Sequence, residues 1–365
     1  MPNGGIRLTA CATATGLAGL TGLAGPAAAH AVPAPAAAPV PATAPGERRA
    51  APHDRPAVAA RAAYLVDTTT GTVHLGKRAG RRFPVASLTK IMTAYVVLRE
   101  ARLTDIVTIK ARDVTYARRN DATHASLRAG ERLTVRDLLH GVMLPSGADA
   151  THALARVYGP GQSRFVAKMN AAARSLGLAD TVYTNADGLP RPRGNHSTAA
   201  DQARLTDAAL RHPVLAAIAA TERYVVRGSA AHRRHVWTNT NELLGAPGVL
   251  GVKTGYTGAA GYCLAFAADR GGRRLVGVLL GETRSDRRFR TAGRLLDWAA
   301  GRAAAEDAPD GPVPEGATPD GPVPGGPVPG GPVPGAPVPD GPVPGGAVPG
   351  PSGPPPALAL DGTLP

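Results

Sequence analysis

The sequence predicts a mixed α/β domain of the α+β type, a single antiparallel sheet flanked by helices. Short β-prone runs lie at both ends of its globular segment, amphipathic helical patterns fill the middle, and glycine-rich turns of hairpin length join the later runs. The two ends of the segment can then share one sheet while the central helices cover it.

Each element has its own signal. Residues 63–67 (Ala-Tyr-Leu-Val-Asp) and 72–75 (Thr-Val-His-Leu) read as two strands joined around Gly71. A helix follows, because Leu88, Ile91, Met92, Tyr95 and Val96 recur at helical spacing, with Pro84 just outside its start. A second helix carries Val135, Leu138, Leu139, Val142 and Met143 at the same spacing and ends near Pro145, which leaves Ser146 on the loop after a buried helix. From Leu250 the pattern turns to sheet. Residues 251–256, 261–268 and 275–280 form a three-strand antiparallel meander with glycine-rich turns. Residues 291–303, with Leu295, Leu296 and Trp298, read as a closing helix.

Composition sets the boundaries. Residues 1–31 read as a secretory signal peptide: Arg7, an apolar stretch from Leu8 to Ala24, then Ala29-His30-Ala31 as a small-residue cleavage site. Leu8-Thr9-Ala10-Cys11 superficially resembles a lipid acceptor, but it precedes the region that would drive export. Residues 32–56 form an Ala/Pro-rich linker without helical or strand period, and residues 57–303 form the globular domain. Residues 304–365 repeat a Pro/Gly pentad, as in Gly321-Pro322-Val323-Pro324-Gly325. Alternate prolines remove backbone donors and glycines raise the entropy cost of ordering, so a disordered tail is expected there. An extended spacer through the cell envelope and low-complexity drift both account for it. No apolar run after the leader reaches the length of about 20 residues that a transmembrane segment needs.

The formal charge of +14 is carried mostly by arginine. A basic exported protein suits anionic envelope polymers, but the arginines are spread along the chain and a diffuse solvated surface is the preferred reading; nucleic acid is disfavoured because no recognised motif occurs and aromatics make up only 4%. The ten histidines include no pair at metal-ligand spacing such as H-E-x-x-H, so neither a metal nor another cofactor is expected. After cleavage Cys263 is the only cysteine left. It lies in an apolar run and reads as a buried strand residue, so no intramolecular disulfide is available. His232 and His235 read as loop residues, Arg287 and Arg288 as solvated surface, Asp187 as a turn residue and Asp201 as a helix-start residue.

The chemistry concentrates in three short motifs. In Ser87-Leu88-Thr89-Lys90, three residues along a helix turn the chain by roughly 300° and lift it about 4.5 Å, so a hydroxyl and an amine meet on one face. Serine needs an adjacent base, and a lysine buried beside a second cation has its pKa lowered toward that role. Lys253, in Lys253-Thr254-Gly255 on a strand, is the candidate second cation, and Ser146-Gly147 supplies a further hydroxyl. The chain has only five lysines, and two of them fall in these motifs, where a titratable amine rather than a guanidinium is required.

With Gly130-Glu131 before the second helix, Leu144-Pro145-Ser146-Gly147 at its end, the run from Asn185 to Pro190 and Ser197-Thr198-Ala199 with Asp201, the chain resembles the serine D-alanyl-D-alanine carboxypeptidases. These are the low-molecular-mass penicillin-binding proteins. The resemblance covers residues 62–300 and implies the penicillin-binding, β-lactamase-like transpeptidase fold. It implies Ser87 as acylated nucleophile, Lys90 as its base, Ser146 as proton shuttle to the leaving amine, and Lys253 with Thr254 as binders of the substrate carboxylate. Backbone N–H groups of Ser87 and Tyr256 would form the oxyanion hole. The implied substrate is a peptidoglycan stem peptide ending in D-Ala-D-Ala, β-lactams being inhibitors that acylate the same serine.

Relatives usually carry asparagine as the third residue of the second motif, where this chain has Ala148. The tail also stands where relatives have a further β-domain and a membrane-binding helix. A D,D-transpeptidase of the same fold is the alternative. A β-lactamase is disfavoured because no glutamate lies between Glu131 and Glu222 to hydrolyse the acyl-enzyme. A non-catalytic wall-binding module has Ala148 as its only support.

Overall fold

The computed structural model describes residues 55–190 and 194–306. The leader, linker residues 32–54 and the repeat tail from 307 lie outside the described residues. The first hairpin is formed by β1 (Ala62–Asp67) and β2 (Val73–Lys77), which turn at Gly71 with φ of 81°. The turn closes through the Asp67 side chain, which accepts from the Thr69 amide at 2.8 Å.

A two-residue strand β3 (Phe83–Pro84) leads into a 3-10 turn (Ala86–Leu88) and directly into α1 (Thr89–Leu98). α1 is the central helix: Thr89, Lys90, Ile91, Met92, Thr93, Ala94, Val96 and Val97 are all buried. A helix buried on every side sits in the core of its domain. Around it lie β4 (Ile106–Thr108), α2 (Ala111–Arg119), β5 (Arg132–Thr134), α3 (Val135–Met143), α4 (Ala148–Tyr158) and α5 (Gln162–Ser175). Next come β6 (His196–Ser197), α6 (Ala199–Leu210) and α7 (Pro213–Ala219). α3 starts where sequence periodicity puts it, because the Thr134 hydroxyl accepts from the Asp137 amide at 3.0 Å and the Asp137 carboxylate reaches back to Thr134.

The chain then returns to sheet. A separate hairpin, β7 (Arg223–Val226) and β8 (His235–Thr238), precedes the meander β9 (Val249–Thr257), β10 (Gly261–Arg270) and β11 (Arg273–Glu282), and α8 (Ser285–Glu306) closes the fold. The five-stranded sheet has the order β2-β1-β11-β10-β9, and each pairing is antiparallel. The predicted architecture therefore stands, with the two ends of the domain meeting where β1 pairs β11.

Side chains divide the sheet with a period of two. Leu264, Phe266, Leu275 and Leu279 pack with Leu295 and Leu296 of α8, while Val252, Ala265, Ala267, Val276 and Val278 belong to the larger core built around α1. Gly277 fits this arrangement, since a Cβ there would stand 2.2 Å from the Phe266 ring.

Two expectations change. The closing helix begins at Ser285, six residues before Thr291, and ends at Glu306, beyond the predicted limit of 303. Its first turns carry Arg287, Arg288 and Arg290, and that polar run obscures the helical period. His235 is not a loop residue. It is buried on β8 with Nε2 3.2 Å from Glu131, whereas His232 lies between the two strands.

A buried ion cluster clamps α2 to α4. The Asp113 carboxylate is fully buried and accepts from His152 Nδ1 at 2.7 Å, Arg156 Nε at 3.0 Å and Nη2 at 2.8 Å, and the Lys110 amide at 2.8 Å. Burial alone would push this carboxyl up, but the hydrogen bonds from His152, Arg156 and Lys110 outweigh it and hold it at about 2. Because the folded value lies below the ordinary 3.8, the stabilisation is complete above about pH 4 and is lost as pH falls toward 2. Asp113→Ala leaves Arg156 partly buried without its carboxylate and should cost about 3–5 kcal/mol at neutral pH. The gap in melting temperature between wild type and variant should narrow as pH is lowered from about 4 to about 2; a constant gap would contradict this account.

Candidate active site

The site is built around the 3-10 turn that carries Ser87. Ala86 holds φ of 47°, a left-handed conformation uncommon for a residue with a side chain, and the turn runs straight into α1. Lys90 therefore emerges on the same face as Ser87. Its Nζ stands 3.0 Å from Ser87 Oγ and donates to the carbonyl of Asp187 at 2.8 Å. Lys90 is 3% exposed, and burial lowers its pKa from 10.5 to about 8, against the opposing pull of Asp187 and Asp149.

β9 brings the second amine. Lys253 is 1% exposed and donates to the carbonyl of Thr254 at 3.1 Å. Burial, then the cations Lys90 and Arg288, push its pKa well below the usual lysine range. Desolvation is the main cause at both amines, and the repulsion between Lys90 and Lys253 is mutual. Gly255 passes so close to the turn that a Cβ there would stand 3.1 Å from the Ser87 amide nitrogen and 3.2 Å from the Val85 carbonyl. A side chain there would have to push the turn back by a few tenths of an ångström. Tyr256 follows with its ring exposed and stacked on Tyr262 at 4.4 Å.

Ser146 lies just past α3 with φ of 65°, buried, its Oγ making no hydrogen bond within the protein. Strain and an unpaired buried hydroxyl together mark a functional position. The next residue must be glycine, since a Cβ on Gly147 would meet Ala125 Cβ and the Gly141 carbonyl at 2.7 Å each. Thr240 joins this loop to β9: its Oγ1 lies 2.6 Å from Thr254 Oγ1, and its amide donates to Leu144 at 3.3 Å.

A sequence profile of the D-alanyl-D-alanine carboxypeptidases, the serine peptidase family Peptidase_S11, matches residues 48–284. The chain is 36% identical over 266 residues to a D-alanyl-D-alanine carboxypeptidase of Streptomyces sp. strain K15, covering 69% of this chain and 91% of that protein. A Bacillus subtilis enzyme of the same name is 34% identical over 242 residues, which is 66% of this chain and 62% of the relative. The crystal structure of the Streptomyces K15 DD-transpeptidase superposes with a TM-score of 0.64 at 37% identity, covering 68% of this chain and 99% of that one. A D-alanyl-D-alanine carboxypeptidase structure from Mycobacterium tuberculosis gives 0.62 at 34% identity, with 67% and 92% covered.

The chain belongs to the D-alanyl-D-alanine carboxypeptidase family. It is a serine peptidase of the penicillin-binding, β-lactamase-like fold. Within that fold the third motif meets the first where Gly255 of β9 passes the Ser87 turn, and Thr240 links Leu144, two residues before Ser146, to Thr254.

Several neighbours of the carboxypeptidase-family site escape sequence reading. Arg288 is buried rather than solvated and donates to the carbonyls of Gly255 at 3.2 Å and Cys263 at 3.5 Å, its guanidinium 4.6 Å from the centre of the Phe289 ring. Arg287 is half-buried and donates to Thr283 Oγ1 at 3.2 Å. Cys263 is buried, and burial raises its thiol to about 11, which leaves it unreactive. Asp201 is structural, accepting from Thr181 Oγ1 at 2.8 Å and from the Asp180 amide at 3.0 Å. Asp187 is a turn residue as expected, but its turn is packed on Lys90. Asn195 holds that turn to α1, donating to Thr89 Oγ1 at 2.9 Å and accepting from the Thr184 amide at 2.8 Å. Among the described residues no three His, Cys, Asp or Glu side chains converge as a metal site would require.

Gly188 is the tightest point of this packing. It has φ of 89°, and a Cβ there would lie 1.8 Å from the Ala86 carbonyl oxygen. Gly188→Ala should therefore displace the nucleophile's turn, destabilising the protein by at least about 1–3 kcal/mol and slowing acylation of Ser87 more than a surface substitution of equal stability cost. Calorimetry with penicillin labelling checks this; a variant of unchanged melting temperature and labelling rate would refute it.

Proposed function

We propose that this protein is an exported serine-type D-alanyl-D-alanine carboxypeptidase that trims peptidoglycan stem peptides through an acyl-enzyme on Ser87. The observation that carries the reading is the buried Lys90 amine at 3.0 Å from Ser87 Oγ. With a pKa of about 8, Lys90 is proton-free in a useful fraction of molecules near neutrality and can take the hydroxyl proton as Ser87 attacks. Negative charge then builds on the carbonyl oxygen. The Ser87 and Tyr256 amides are the proposed donors for it, each worth about 3–4 kcal/mol in comparable sites. Ser146, whose Oγ has no partner in the protein, passes the proton to the departing D-alanine amine.

Lys253 and Thr254 hold the substrate's terminal carboxylate in this reading. Burial and two neighbouring cations push the pKa of Lys253 down, and an arriving carboxylate opposes that shift, so substrate binding and protonation of Lys253 are coupled. Such a site selects for a free C-terminal carboxylate.

Water as acceptor gives carboxypeptidase activity, and an amine acceptor gives transpeptidase activity from the same acyl-enzyme. The second reading has specific support in the similarity to the Streptomyces K15 DD-transpeptidase and in Ala148, which places a methyl where most relatives carry an amide. β-Lactams are proposed to acylate Ser87 as inhibitors. Export to the cell wall rests on the leader and the charge of +14, which suits anionic wall polymers.

Mass spectrometry of the protein incubated with a D-Ala-D-Ala peptide and with penicillin tests this reading. A covalent adduct on Ser87 and released D-alanine are expected; Ser87→Ala should abolish the adduct, and Lys90→Ala should slow it about 10²- to 10⁴-fold. No adduct on folded wild type would instead favour a non-catalytic wall-binding module, and rapid release of hydrolysed penicillin would favour a β-lactamase. In wild type the second-order acylation rate should rise with pH and level off above about 8, as Lys90 loses its proton. A profile flat between pH 6 and 9 would remove Lys90 from the role of base.

A further inference from the structure

Hydrolysis of the acyl-enzyme needs two proton movements: one proton leaves the attacking water, and one must reach Ser87 Oγ as the ester breaks. Lys90 stands 3.0 Å from Ser87 Oγ and is placed for the second. The first needs a base of its own, and one carboxylate beside Lys90 answers the requirement.

Asp187 is held against the nucleophile by its own backbone. Its carbonyl accepts from Lys90 at 2.8 Å, and the following residue, Gly188, abuts the Ala86 carbonyl and the Ser87 amide so closely that no Cβ could stand there. The Asp187 side chain is 2% exposed. Oδ1 accepts from the Leu189 amide at 3.2 Å, while Oδ2 is buried and has no hydrogen-bond partner in the protein. A buried carboxylate oxygen without a donor in the protein is costly, and beside Lys90 a role in proton transfer accounts for it.

Tyr116 faces the same carboxylate from α2. Its acidity is suppressed by burial and by the charge of Asp187, with which its hydroxyl interacts, so it remains a phenol and a donor. The ring is fixed by stacking on His152 at 4.5 Å, and His152 is tied to the buried Asp113 at 2.7 Å. Tyr116 and Asn185, on either side of Asp187, also line a cavity of about 630 Å³ together with Asn120 and Gln162. Its amides and hydroxyls suit water.

We infer that Asp187 is the general base of the hydrolytic step, with Tyr116 as the residue that positions its carboxylate. The inference rests on the acyl-enzyme reading above. The water oxygen bonds to the ester carbonyl carbon while its proton passes to Asp187 Oδ2. Lys90, a free amine again once the departing D-alanine has taken its proton, receives this proton from Asp187, and as the tetrahedral intermediate collapses the bond from that carbon to Ser87 Oγ breaks and the alkoxide takes the proton from Lys90. Asp187 is then a carboxylate and Lys90 a free amine, so the free enzyme and the carboxylic acid product are restored without any other reactant.

Asp187→Asn tests this, because the amide keeps an oxygen for the Leu189 N–H but cannot accept the water proton. Because loss of the Asp187 charge also lowers the pKa of Lys90, stopped-flow acylation by a D-Ala-D-Ala peptide is followed across pH; at its plateau it should fall far less than hydrolysis, which should drop about 10²-fold or more with acyl-enzyme accumulating in the mass spectrum. Added glycylglycine carries its own basic amine, so aminolysis should suffer less and the ratio of transfer to hydrolysis should rise. Tyr116→Phe should lower hydrolysis several-fold with acylation unchanged and move the same ratio in the same direction. Equal losses in acylation and hydrolysis, or an unchanged ratio in both variants, would overturn the assignment of Asp187. If Asp187→Asn does not fold, an unchanged ratio in Tyr116→Phe overturns it alone. Absence of any acyl-enzyme in wild type would overturn the peptidase reading itself and this inference with it.

Discussion

The backbone around Ser87 is gripped from two sides, and the rest of the site depends on that grip. Gly255 of β9 presses on the Ser87 amide, and Gly188 of the Asn185–Leu189 turn presses on the Ala86 carbonyl. The Gly188 contact leaves no room for a side chain, and at Gly255 a Cβ would stand closer to the turn than ordinary packing allows. Between them the 3-10 turn keeps Ala86 in a left-handed conformation that an unsupported turn would abandon. Ser87, the proposed nucleophile, is therefore positioned by main chain, which reorganises far less than side chains do. The antiparallel sheet supplies the first jaw through β9, its edge strand, and the helical layer supplies the second through Asn195, which ties the Asn185 turn to Thr89.

Electrostatics follow from the same packing. Two amines and a guanidinium, Lys90, Lys253 and Arg288, are buried close together, an arrangement that desolvation and mutual repulsion both disfavour when all are charged. Lysine can answer by giving up its proton, which arginine does not do. This explains why a chain so rich in arginine keeps lysine at 90 and 253. Asp187 and Asp149 temper the effect at Lys90, leaving it at about 8 rather than lower, where it would be a weaker base. Lys253 has no such counterion among the causes of its shift, and a substrate carboxylate is the natural one.

Local periodicity made much of this visible before any coordinates. The β10 and β11 strands, the start of α1 and the end of α3 were legible because each is written in consecutive residues with a clear period and a glycine or proline boundary. The motif residues were legible for the same reason. What escaped depends on contacts between distant segments. Arg288 looks like one more arginine in a basic run until β9 and β10 cover it, and His235 looks like a loop residue until Glu131, 104 positions away, meets it. Thr240 and Tyr116 carry no motif at all. The α8 start was hidden because its first turns bury Arg288 and Phe289 but otherwise expose charge.

Asp187 shows how a correct local reading can still be incomplete. An aspartate before glycine is a turn residue, and here it is one, with Oδ1 accepting from the amide two residues on. A turn uses only one carboxylate oxygen. The other is left in the protein interior beside Lys90, the proposed base, and the turn itself does not require it. Ala148 gives this residue added weight. With a methyl at the start of α4, Lys90 receives no orienting amide from the second motif, and its fixed acceptors are the Ser87 hydroxyl and the Asp187 carbonyl. The Asn185–Leu189 turn thus supplies, through the Asp187 carbonyl, one of the acceptors that orient Lys90, and in the proposed mechanism it also carries the carboxylate on which the choice between water and an amine acceptor depends.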